Sequence, residues 1–170
     1  SGRVVGYEAL TRFADGTRPD RRFRDADAAG VGSALETACL TAAMREAIRL
    51  PAGGWLGLNV SPAFAADVAS LLEVVAESPR EIVLEITERA MLERAARGSA
   101  TPAATSHDRL KAAGVRIAID DFGTGYSSLT HIRRFPVDCI KIDRTFVSGI
   151  GTNKGDTSII AAVIGLAQAM

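Results

Sequence analysis

The chain has 170 residues, enough for one core of ordinary domain size. Apolar residues make up 47% and charged residues 24%, a globular composition, and 20 Lys plus Arg balance 20 Asp plus Glu. Zero net charge speaks against a general binder of nucleic-acid polymers or membrane surfaces, and no apolar run is long enough to span a bilayer.

Val4 to Arg12 reads as a strand, with Val5, Tyr7 and Ala9 on one face and Gly6, Glu8, Leu10 and Arg12 on the other. Asp15-Gly16 turns the chain, and Arg18, Arg21, Arg22 and Arg24 read as a solvated basic loop. Ser33 and Glu36 have the spacing of a capping box, opening a helix with an apolar stripe of Leu40, Ala43, Met44, Ala47 and Ile48. After Pro51 to Gly54, Trp55 to Val60 is a second strand with Asn59 near its end. Ser61-Pro62 fits an N-cap followed by proline in the first turn, and Phe64, Val68, Leu71, Leu72 and Val75 keep helical spacing.

Glu81 to Thr87 is the third strand, with Glu85 near its end. Helical sequence from about Glu88 is interrupted near Gly98 to Pro102, resumes to Ala113 and closes at Gly114. Val115 to Asp120 is the fourth strand, and a short helix from about Ser128 stops before Pro136. Val137 to Asp143 is the fifth strand and carries Lys141; Thr145 to Ile150 and Asp156 to Met170 are helical. There is no internal repeat, low-complexity tract or linker. Cys39 and Cys139 are too few for a disulfide scaffold and match no zinc spacing, so a reduced, cytoplasmic setting is expected. His107 and His131 are isolated and read as surface or packing residues.

Strand and helix alternate throughout, which implies α/β with parallel strands. Branched residues occupy one face of each strand: Leu56, Leu58 and Val60; Ile82, Leu84 and Ile86; Ile117 and Ile119; Ile140 and Ile142. The other face carries small residues and then a polar group near the carboxyl end. That asymmetry fits a barrel with helices outside and polar ends meeting at one mouth, as in a TIM-like (β/α) barrel. An open doubly wound sheet would need an apolar surface on both faces.

The mouth would collect Glu8, Asn59, Glu85, Asp120, Asp121 and Lys141. Carboxylates and an amide oxygen from different strands suit a hard cation such as Mg²⁺ or Mn²⁺. Asp121 beside Asp120 allows a second ion, and two ions are the usual device for phosphodiester hydrolysis. Each residue also has an ordinary explanation: Glu8 as an exposed acid, Asn59 as a cap, Glu85 paired with an arginine, Lys141 paired with Asp143. Polar groups facing inward at five strand ends would be a costly coincidence.

Tyr7-Glu8-Ala9-Leu10-Thr11-Arg12 resembles the motif that names the EAL domain. Leu58 to Ser61, Leu84 to Glu88, Asp120-Asp121-Phe122-Gly123-Thr124-Gly125-Tyr126-Ser127-Ser128-Leu129 and Lys141 to Arg144 resemble its later motifs, in order. Thr11 stands where an apolar residue is usual. The resemblance spans residues 1–170 and implies a cyclic di-GMP phosphodiesterase that yields linear pGpG. It implies Glu8, Asn59, Glu85 and Asp120 as ligands of one metal, and Asp120 and Asp121 as ligands of a second. Lys141 would contact the catalytic water, Leu10, Arg12 and Asp143 would meet the nucleotide, and Glu88 would anchor the loop from Phe122 to Leu129. Ca²⁺ is expected to occupy the site without supporting turnover. A homodimer and accompanying sensory or cyclase domains are family expectations.

The same resemblance implies one strand before the Glu-Ala-Leu strand and two after residue 170, one of them carrying a further catalytic glutamate. On that expectation the chain holds about five of the eight strands of such a barrel and is incomplete. The alternative expectation is a catalytically inactive module that binds cyclic di-GMP or a protein partner.

Overall fold

The computed structural model describes residues 2–76, 78–89, 103–123 and 137–169. Its five strands are β1 (Gly6–Ala9), β2 (Trp55–Asn59), β3 (Ile82–Thr87), β4 (Val115–Phe122) and β5 (Cys139–Ile142). They lie side by side in chain order and every pairing is parallel. Sequential order means the chain winds in one direction only. With right-handed crossovers, every connecting helix then falls on the same side of the sheet. The result is a half-barrel.

The described helices are α1 (Pro19–Ala28), α2 (Gly32–Ala47), α3 (Pro62–Ala66), α4 (Val68–Val75), α5 (Ala103–Ala112), α6 (Arg144–Ser148) and α7 (Lys154–Ala169). The core forms where their apolar stripes meet the branched face of the strands. Leu56, Leu58, Ile82, Leu84, Ile86, Val115 and Ile119 are buried with Leu40 and Ala47 of α2, Val68, Leu71 and Val75 of α4 and Leu110 of α5. The split into two strand faces expected from alternation is therefore present. Register sets the other face: Glu8 pairs with Gly57, Asn59 with Glu85, and Thr87 with Asp120, so the polar ends stand level.

Several local expectations are corrected. The basic stretch is a helix: Pro19 starts α1 and Asp20 sits in its first turn, where a negative charge meets the helix dipole. Arg21 pairs with Asp25 and Arg24 with Asp20 at helical spacing, which the count of arginines concealed. The capping box does not form. The N-cap of α2 is Val31, with no side-chain cap, and Glu36 turns inward instead. Its carboxylate accepts from Ser61 N at 2.6 Å and from Ser61 Oγ at 2.7 Å. Ser61 does cap α3, accepting from Phe64 N at 3.1 Å. The helix expected beyond it is broken at Asp67, which caps α4 through Ser70 N. β1 is shorter than expected, and β4 runs on to Phe122. The helix expected from Ser128 and His131 lie outside the described residues.

Arg80 ties the lower end of the fold together. Its guanidinium donates to the carbonyls of Ala47, Leu50, Pro51 and Gly53 and lies 5.6 Å from the centre of the Tyr7 ring. One side chain thus serves the Ala47 carbonyl at the end of α2 and three carbonyls of the segment that follows it. The two cysteines are unpaired.

Burial pushes the Glu36 carboxyl above its ordinary value, more than its two bonds from Ser61 pull it down. The folded chain then holds that proton more tightly than the unfolded chain. Stability should fall as pH rises through this window and level off above the folded-state value. Glu36→Gln keeps an acceptor for Ser61 N and removes the slope. Urea midpoints measured across a pH series should show the variant gaining on wild type over that window.

Candidate metal centre

The carboxyl ends of β1, β3 and β4 bring Glu8, Glu85 and Asp120 together, with one oxygen of each within 4.8 Å of the others. Asn59, at the end of β2, donates its Nδ2 to Glu8 Oε1 at 3.0 Å, leaving its amide oxygen as the end available to a cation. Lys141, on β5, reaches across β4. Its Nζ lies 2.5 Å from Glu85 Oε2, 3.2 Å from Asp120 Oδ2 and 3.7 Å from Glu8 Oε2. Three of the ordinary explanations do not apply, because Ser61 rather than Asn59 caps α3, Glu85 pairs with a lysine, and Lys141 pairs with acids other than Asp143; Glu8 is an exposed acid, as that explanation had it.

The Glu85 side chain is fully buried. Burial pushes its carboxyl up, and the negative charges of Glu8 and Asp120 add to that, against the opposing pull of Lys141. Burial works against the Lys141 ammonium, but Glu85 and then Asp120 outweigh it, and its pKa rises. Lys141 is therefore a hydrogen-bond donor and a fixed positive charge at neutral pH, not a base. By formal charge, three carboxylates around one ammonium leave an excess of two negative charges.

Asp121 is exposed and near enough to Asp120, Asp143, Lys141 and Glu8 to feel their charges, but it stands outside the trio of acids whose oxygens meet; β4 is irregular there. Ile119 pairs with Ile140 and Phe122 with Ile142, so β4 spends one residue more than β5 over that interval. Asp121 takes the left-handed conformation, φ 54°. Aspartate tolerates this better than a branched residue would. Asp121 N, displaced from the ladder, donates to Asp120 Oδ1 at 3.0 Å. Burial raises the Asp121 carboxyl, and the neighbouring charges of Asp120 and Asp143 add to it.

The end of β4 is held from two sides. Glu88, buried, accepts from Gly123 N at 3.1 Å. Gly123 has φ +99°, and a Cβ there would stand 2.9 Å from the Phe146 ring. Residues 124–136 lie outside the described residues, so only the start of the expected Phe122 to Leu129 anchor is in view. Leu10 is exposed just beyond β1, and Arg12 donates to the Thr11 carbonyl. Asp143 caps α6 by accepting from Thr145 N at 2.7 Å, which with the Thr145 hydroxyl holds its carboxyl below the usual range.

Gly57 is a functional position that sequence reasoning passed over. A Cβ there would stand 2.5 Å from Glu85 Oε1, so the glycine makes the space into which that carboxylate folds. A glycine in the middle of a strand was the available signal. Glu85 Oε1 is buried and has no hydrogen-bond donor among the described residues. A hard divalent cation fits this set: it would satisfy the orphaned oxygen and offset the excess negative charge.

The EAL domain family model matches residues 1–170. An uncharacterized signaling protein of Caulobacter vibrioides is 38% identical, over 99% of this chain and 22% of its own length. A probable cyclic di-GMP phosphodiesterase of Escherichia coli, PdeN, is 36% identical, over 98% of this chain and 34% of its own length. BlrP1 of Klebsiella pneumoniae, solved with calcium and cyclic di-GMP, superimposes with a TM-score of 0.82 at 28% identity, covering 98% of this chain and 43% of that one. The chain therefore spans about a fifth to a third of the length of these two curated relatives. Among the described residues, no helix is long and apolar enough to cross a membrane.

Removing Lys141 would leave Glu85 buried without its counter-ion. Lys141→Met should lower stability in cation-free buffer by about 3 kcal/mol, the lower end for breaking a buried pair because Lys141 is partly exposed. Millimolar Mn²⁺ should recover much of that loss in a thermal melt.

Proposed function

The chain belongs to the EAL domain family, and from that premise we propose that it hydrolyses cyclic di-GMP to linear pGpG with two divalent cations, Mg²⁺ or Mn²⁺. The observation that carries this reading is the convergence of Glu8, Glu85 and Asp120 from three strand ends, with one buried Glu85 oxygen lacking a donor. Such a mouth repels an anionic dinucleotide unless cations stand between them. The names and contents of the relatives support it: PdeN is a probable cyclic di-GMP phosphodiesterase, and BlrP1 has been solved with the dinucleotide and either calcium or manganese. Further sensory or cyclase domains would fit the greater length of the relatives.

In this reading Glu8, Asn59, Glu85 and Asp120 would hold one cation, and Asp120 and Asp121 would hold the other. The bound ions would supply a water acidic enough to act as hydroxide and would neutralise the phosphate. Lys141, kept protonated by Glu85 and Asp120, orients that water by donating to it and balances charge as it builds on the phosphoryl oxygens. Water adds to phosphorus, the bond to the ribose 3′ oxygen breaks, and the phosphate remains on the 5′ side of pGpG. Glu88 keeps the backbone beside Asp121 in place by accepting from Gly123 N. Leu10 offers apolar surface to a guanine, and Arg12 and Asp143 offer polar groups at the rim.

Asp121→Asn keeps the bulge, because asparagine also tolerates the left-handed region, but removes the second cation's charge partner. Turnover in Mg²⁺ or Mn²⁺, followed by chromatographic separation of cyclic di-GMP from pGpG, should fall by about 100-fold or more with the fold unchanged. Full activity in that variant would rule out the two-cation mechanism. Nucleotide binding by the wild type without product in either metal would overturn the enzymatic reading in favour of a receptor. Ca²⁺ should support binding without turnover.

A further inference from the structure

Glu36 lies on α2, outside the strand ends, and no step described above uses it. It is 7% exposed, and both of its carboxylate oxygens are committed to a single residue, Ser61. Ser61 follows Asn59 by two positions. Between them Val60 donates its N–H to the Glu85 carbonyl at 3.0 Å. The chain leaving β2 is thus held once at Val60 and twice at Ser61.

Capping alone does not account for this. The cap needs only Ser61 Oγ facing Phe64 N, and that bond is made without Glu36. Burying a carboxylate is costly, so a glutamate is a poor choice for packing between α2 and α3. Its two oxygens do something an apolar residue cannot: one fixes the backbone N–H of Ser61 and the other its side chain. Together they hold the chain just past β2, two residues after Asn59.

We propose that Glu36 is a positioning residue which, through Ser61, aims the Asn59 amide oxygen at the cation shared with Glu8, Glu85 and Asp120. The proposal rests on the metal-dependent reading above. A ligand held from behind by a hydrogen-bonded carboxylate binds a cation more tightly because less rotational freedom is lost on binding, and loss of such support typically weakens affinity 10- to 100-fold.

The test is Mn²⁺ affinity of the purified protein by titration calorimetry, with circular dichroism to establish folding. Glu36→Ala should weaken Mn²⁺ binding about 10-fold. Glu36→Gln, which can still engage Ser61 through its amide, should stay within about 2-fold of wild type. In an Asn59→Ala background, Glu36→Ala should cause no further loss, because the residue it aims is gone. Arg80→Ala, which weakens the fold far from the strand ends, should lower the melting temperature and leave Mn²⁺ affinity alone. Unchanged affinity in Glu36→Ala, or a full additional loss in the Asn59→Ala background, would overturn the proposal. If Glu36→Ala does not fold, Ser61→Ala takes its place, with a smaller loss expected and no loss counting against the idea. A wild type that binds no Mn²⁺ would sink the metal reading and this inference together, whereas wild-type binding with an unaffected variant would sink this inference alone.

Discussion

The pairing of Glu85 with Lys141 is the contact on which the mouth of this half-barrel depends. Glu85 is on β3 and Lys141 on β5, so their bond spans the intervening strand. It forms only if β3, β4 and β5 are parallel and in a register that brings their carboxyl ends level. A slip of one residue in either ladder would turn an acid or a lysine into the apolar layer beneath the helices. The pairing and the core therefore specify the same arrangement: the branched residues want the helices, and the charged residues want each other. Gly57 completes the arrangement by leaving room for the carboxylate.

Asp121 shows what a regular sheet cannot do. Consecutive residues on a strand face opposite ways, so Asp120 and Asp121 could not serve one site from an ideal β4. β4 carries an extra residue and a left-handed backbone at Asp121, and Asp120 takes up the N–H that the bulge displaces. Burial first, and then the negative charges of Asp120 and Asp143, raise the Asp121 carboxyl. Such crowding is unfavourable for the fold by itself and favourable for holding a divalent cation.

Behind these residues stands a layer of contacts from elements remote in sequence. Glu36 on α2 grips Ser61, Glu88 holds Gly123, and the Phe146 ring leaves space only for a glycine there. Each fixes the backbone one to three residues from a mouth carboxylate or amide. The strand ends carry the chemistry, and the helices and loops behind them set its geometry.

Sequence alone determined the layered pattern. Period-two alternation separated Leu84 and Ile86 from Glu85, and Ile117 and Ile119 from Asp120, which is enough to assign an outer apolar face and an inner polar one. The motifs around Glu8, Asn59, Glu85, Asp120 and Lys141 identified the family. Pairings across long sequence distances were not legible. Glu36 has capping-box spacing from Ser33, yet its partner is Ser61, 25 residues on. The arginines around α1 read as loop because local charge hid the helical spacing of their aspartate partners. Arg80 gave no sign of the four carbonyls it serves, and nothing in two adjacent aspartates announces a bulge. Periodicity and motifs are local properties, whereas a buried charge finds its partner only after folding has brought distant strands and helices together. Tertiary structure therefore decided which groups meet in the mouth and which hold them there.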